Sequence, residues 1–138
     1  MRKIGSLFFM AFFLILLTGA CCVEKASKSN AGLSFYPHGY VGETFNANCN
    51  NIRKEIYFYA DKRVIIKEIF PQHCPAAKDK IREGNWTYTH KGLIRIAFPT
   101  KSPMQYYKTV SSNRIIEVNQ QGTEPNASQE KFNTYVLQ

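Results

Sequence analysis

From about Leu33 onward the apolar positions of this chain come in short runs with a period of two, separated by clusters of Asn, Asp, Gly, Pro and Ser. Tyr, Phe, Ile, Val and Thr dominate the runs, which is the pattern of consecutive β-strands whose alternate side chains enter a core. A first strand is expected over Phe35 to Thr44, weakened by Pro37. The clearest hairpin joins Lys54–Tyr59 to Arg63–Phe70 across Asp61-Lys62, with Ile56, Phe58 and Ala60 on one face and Glu55, Tyr57 and Tyr59 on the other. A polar loop from Pro71 to Glu83 follows, in which Ala76 to Arg82 has the composition for one helical turn. Asn85–Thr89 and Leu93–Phe98 form a second hairpin across His90-Lys91-Gly92, setting Trp86 and Tyr88 against Ile94, Ile96 and Phe98. Met104–Val110 and Arg114–Val118 form a third across Ser111-Ser112-Asn113, and after a loop from Gln120 to Glu130 the strand Phe132–Leu137 closes the set.

The pattern thus predicts an all-β domain over residues 33–138: about eight strands linked as neighbours, in a small antiparallel up-and-down β-barrel or curled meander that wraps one apolar face inward and hides its edges. No internal repeat, heptad or long amphipathic helix interrupts it.

The N-terminus has a different pattern. Met1-Arg2-Lys3 precedes an apolar run from Leu7 to Leu17, then Thr18-Gly19-Ala20 and Cys21. A basic start, a short apolar run and small residues make an export signal over residues 1–20, and the run is shorter than the about 20 apolar residues that a membrane span needs. Two cleavages fit. Thr18 and Ala20 satisfy ordinary signal peptidase, whereas Leu17-Thr18-Gly19-Ala20-Cys21 resembles the bacterial lipobox, in which the cysteine thiol is lipidated and acyl chains such as palmitate anchor the protein. The lipobox reading makes residues 21–32, which are rich in Lys, Ser, Asn, Ala and Glu, a lipidated flexible tether.

Composition narrows the partners. Without residues 1–20 the chain keeps 118 residues, enough for one domain, with 16 Lys and Arg against 10 Asp and Glu, a net charge of +6. The basic residues are scattered through every segment rather than gathered in a stripe, so the excess suits an anionic membrane surface and not nucleic acid. In an exported chain with Cys21 acylated and Cys22 in the tether, Cys49 and Cys74 are the expected disulfide pair. The alternative is a soft metal site built from Cys49, His73 and Cys74. His38, His73 and His90 otherwise read as surface histidines. Tyr57, Tyr59 and Tyr107, expected on outer strand faces, are either cross-strand packing partners or a contact surface.

No phosphate loop, nucleophile elbow, paired-histidine zinc motif or obvious acidic pair is found, and an enzyme and a cofactor are not expected.

Laid out as strands, the domain resembles the N-terminal domain of the copper-resistance and envelope-stress lipoprotein NlpE and its relatives. The resemblance covers roughly Gly39 to Leu137. It rests on Tyr40-Val41-Gly42 in the first strand, Gly84-Asn85-Trp86, Gln105-Tyr106-Tyr107-Lys108-Thr109-Val110, a Gln121-Gly122 turn and Asn133-Thr134-Tyr135-Val136-Leu137. Relatives carry a Cys-x-x-Cys after the first strand. Here the place reads Asn46-Ala47-Asn48-Cys49, so the motif is incomplete and a two-thiolate copper clamp is not implied. What the resemblance implies is a barrel-like fold in a lipid-anchored bacterial envelope protein, on the outer membrane facing the periplasm, acting as a sensor or binding module for an envelope protein or small ligand. A lipocalin-like carrier of a small apolar ligand is the alternative. An inhibitor lipoprotein acting on a host lysozyme ranks below both, because two basic proteins repel.

Overall fold

A computed structural model describes residues 32–74 and 78–138. The leader, the lipidation cysteine Cys21 and nearly all of the tether lie outside the described residues. Eight strands, β1 (Tyr40–Asn46), β2 (Asn50–Phe58), β3 (Arg63–Ile69), β4 (Lys80–Tyr88), β5 (Ile94–Ala97), β6 (Gln105–Ser111), β7 (Arg114–Val118) and β8 (Thr134–Leu137), form a closed antiparallel barrel in which each pairs with its chain neighbours and β1 pairs with β8. The one described helix, α1, is the short turn Ala127–Glu130 in the loop before β8.

Three turns share one build, two of them joining hairpin strands and the third ending β7, and they explain where those strands stop. At Tyr59–Lys62, Thr89–Gly92 and Asn119–Gly122 the fourth residue has positive φ (75°, 75° and 85°) and donates its N–H to the carbonyl of the first. Gly92 and Gly122 take this conformation at no steric cost, whereas Lys62 needs support. It gets some from its ammonium, 3.8 Å from the centroid of the Trp86 ring, and from its carbonyl, which accepts the Trp86 N–H.

Most strand limits fall within two residues of the sequence expectation, and the larger differences have local causes. The first strand starts at Tyr40 rather than Phe35, because Phe35 to Pro37 turn across the barrel end, where Tyr36 donates its N–H to the Phe58 carbonyl. Ala60 falls in the hairpin turn and is exposed, so it does not extend the face of Ile56 and Phe58. Ile81 and Arg82 belong to β4, paired with Lys67 and Ile66, so the helical turn expected up to Arg82 is replaced by strand at that end. Tyr107 points inward and is completely buried rather than lying on an outer face.

Alternation fills the interior. At one end Tyr40, Phe58, Val64, Trp86, Ile94 and Ile115 pack together with Leu33, whose segment enters the barrel there. Phe58 and Tyr88 meet Trp86 edge-on, at 5.8 and 5.5 Å between ring centroids, and the indole N–H donates to the Tyr59 carbonyl at 2.9 Å. Outside the wall, Leu93, Ile116 and Val118 make a smaller cluster with Tyr106. Rings occupy this half of the barrel, so it is a packed core.

Candidate functional site

The other half of the interior is polar. Following the inward positions of each strand toward the opposite end, Phe58 and Ile56 lead to Lys54, Ile66 to Glu68, Trp86 through Gly84 to Arg82, Tyr107 to Gln105, and Ile115 to Glu117. Each polar residue stands two positions beyond an apolar or glycine neighbour on the same face, so one layer of the barrel is built from ionisable and amide side chains.

Lys54 is at its centre. It is 2% exposed, and its ammonium donates to Glu117 Oε2 at 3.0 Å and Gln105 Oε1 at 3.4 Å, with the rings of Tyr107 and Tyr135 5.3 and 5.2 Å away. The Tyr135 hydroxyl donates to the same Glu117 oxygen at 3.2 Å, and the Tyr107 hydroxyl to Gln105 Oε1 at 2.9 Å. Gly42 is the register partner of both Lys54 and Tyr135, and a Cβ there would collide with the Thr134 carbonyl and the Tyr135 ring, so glycine lets the wall close against the ring. Beside this group Arg82 Nη2 donates to Glu68 Oε1 at 2.8 Å and its guanidinium lies 4.6 Å from the Phe98 ring centroid, while the buried Arg82 Nε has no hydrogen-bond partner. Glu117, Arg82 and Glu68 reach solvent, with side chains 27%, 28% and 19% exposed, whereas the Lys54 side chain is 3% exposed.

Burial, reinforced by the Glu117 carboxylate, pushes the phenols of Tyr107 and Tyr135 far above their ordinary value. Both phenols are held protonated in the fold but ionise near pH 10 once unfolded. Their stabilisation is therefore complete below about pH 10 and lost as pH rises beyond it. Alkaline titration is expected to release these two phenols only as the barrel unfolds, read as tyrosinate absorbance against circular dichroism, and Tyr107→Phe to lower the proton slope of the transition by about one.

At the same end Cys49, in the β1–β2 turn, and Cys74, in the β3–β4 loop, are bonded, with Cα atoms 5.3 Å apart and both side chains buried beside Ile52 and Phe70. Bonded sulfurs supply no thiolate to a Cys49–His73–Cys74 metal site, and among the described residues no three His, Cys, Asp or Glu groups converge. His38, His73 and His90 are all exposed, each outside the strands. Tyr57 and Tyr59 do lie on the outer face. Tyr57 donates to Glu55 Oε2 at 2.8 Å, a bond that raises its pKa, and Tyr59 stacks on Tyr36 at 5.0 Å between centroids.

No family model matches the chain, and no curated protein matches it by sequence. A solved structure does share the fold. It is that of a "putative lipoprotein" from Shewanella oneidensis, superposable with a TM-score of 0.59 at 18% identity over 80% of this chain and 94% of that one. The likeness is one of fold: the barrel closes in this chain around its own buried Lys54 layer.

The Lys54 layer escaped the sequence reading, although a signal was present. A charge such as Lys54 reads as a strand end, yet carrying the period of two back from Phe58 and Ile56 to Ile52 places Lys54 on the inward face.

Proposed function

We propose that this protein is a non-enzymatic binding or sensing module held in the bacterial cell envelope by lipid on Cys21, of the kind represented by the NlpE-like lipoproteins, with the barrel presented on the periplasmic side of the outer membrane. The observation that carries the reading is the lipobox-like Leu17–Cys21 placed a short tether ahead of a small closed barrel. The buried Cys49–Cys74 bond suits an oxidising compartment, and a solved structure of the same fold is described as a "putative lipoprotein". Leu33 packs into the apolar end of the barrel, so the Lys54 layer lies at the end away from it.

The incomplete Cys-x-x-Cys leaves no two-thiolate copper clamp at that place, since its single cysteine, Cys49, is bonded to Cys74. A carrier of apolar ligands is less well supported, because the apolar half of the barrel is filled by its own rings.

The test is lipidation. Wild-type protein expressed in a bacterium is expected to incorporate labelled palmitate and enter the detergent phase on phase separation, and Cys21→Ser to lose both properties. A Cys21→Ser protein that still enters the detergent phase would overturn the anchor.

A further inference from the structure

The outer wall carries a groove of about 450 Å³ over β5 and β6. Its floor is Arg95 and Tyr106, direct register partners on the two strands, and its walls are the Thr89–Gly92 turn, bearing His90 and Lys91, and the Asn119–Gly122 turn, bearing Gln120 and Gln121. Tyr88 lines one end.

The walls are built, not loose. Each turn is closed by two backbone hydrogen bonds, Asn119 Oδ1 accepts the N–H groups of Gln121 and Thr123, and Gly122 sits beside the side chain of Leu93, the residue that follows the other turn, with room left for no more than a Cβ between them. The charge is one-sided. Arg95, Lys91 and His90 line the groove and no carboxylate does; among the described residues, none of the three is in an ion pair, whereas Arg53, Arg63 and Arg82 all are. The volume falls within the about 300–1,000 Å³ range of small-molecule sites.

We propose that this groove binds a small acidic saccharide. The Arg95 guanidinium matches a planar carboxylate or a phosphate in a two-pronged hydrogen bond, with Lys91 adding charge. Gln120, Gln121 and the two tyrosine hydroxyls supply donors and acceptors for sugar hydroxyls, and the tyrosine bodies supply apolar surface for a pyranose ring. The proposal names a ligand class for the binding-module reading and rests on it, yet the two fail separately: Cys21→Ser removes the anchor and leaves the groove intact.

The experiment is calorimetric titration of the full-length mature protein in neutral detergent micelles with digalacturonate and with glucose 6-phosphate, against maltose and inorganic phosphate. Trp86 fluorescence serves as a second readout, because its ring contacts Tyr88. Binding of either acidic sugar, at least ten-fold weaker for Arg95→Gln and unchanged for Lys108→Gln, which lies outside the groove lining, is the expected result; which of the two sugars binds identifies the anionic group. Failure of both to bind, equal binding by maltose or by inorganic phosphate, or an Arg95→Gln protein with unaltered melting temperature and unaltered affinity would overturn the proposal.

Discussion

Glu117→Ala is expected to destabilise the barrel by about 3 kcal/mol, the scale found when one partner of a buried ion pair is removed and the other charge is left behind. Lys54 is 2% exposed, and Glu117 supplies the only carboxylate oxygen bonded to its ammonium among the described residues. The same substitution frees the Tyr135 hydroxyl from its acceptor. Lys54→Met should cost distinctly less. It removes the buried charge, keeps the side-chain length and leaves behind a Glu117 that already reaches water. The double variant Lys54→Met/Glu117→Leu should lie above Glu117→Ala in stability, since it abolishes both charges together and ion pairs of this type gain little over apolar packing. Urea denaturation at neutral pH orders the three. Equal costs for Glu117→Ala and Lys54→Met would show that the ammonium is not stranded and that water reaches it.

Removing the Cys49–Cys74 bond is expected to have an effect of similar size at the same end of the molecule. The sulfurs close a sequence separation of 25 residues, and a crosslink over such a loop stabilises by about 3 kcal/mol in the chain-entropy account. For a domain of about 100 residues, that corresponds to a fall in melting temperature on the order of 10–20 °C. The Cys49→Ala/Cys74→Ala protein should show it without reductant, and the wild type should show it on adding a thiol reductant. A double variant that melts with the wild type, or a wild type indifferent to reduction, would mean the bond contributes nothing to the fold. Part of the loss reflects packing, because both cysteines are buried beside Ile52 and Phe70, so Ala at each position also leaves a small void.

The barrel was legible because its information is local. Period-two runs and punctuating Asn, Asp and Gly residues are read within a dozen positions, and they located all eight strands and put Trp86 and Tyr88 against Ile96 and Ile94, as the register has them. What was not legible depends on residues distant in the chain. Tyr107 and Tyr57 sit in equally aromatic strands, but the first faces Lys54 across the interior and the second faces water; only the phase of each strand in the closed wall separates them. Glu117 becomes a partner of Lys54 through closure alone, and Arg95 and Gln121 share a groove because two turns far apart in sequence fold onto one patch of wall.

The closing pair has a consequence for how the molecule can be assembled. Every other pairing joins strands that follow one another, so hairpins can form as the chain is released from its N-terminal side, each closing a short loop. The β1–β8 seam, held by the pairs Tyr40–Leu137, Val41–Val136 and Gly42–Tyr135, has no such local route. Until β8 arrives, β1 offers an unsatisfied row of amides and carbonyls to any other extended strand, including the same edge of a second copy. The interval between synthesis of the first strand and docking of the last is therefore when this protein is most exposed to self-association.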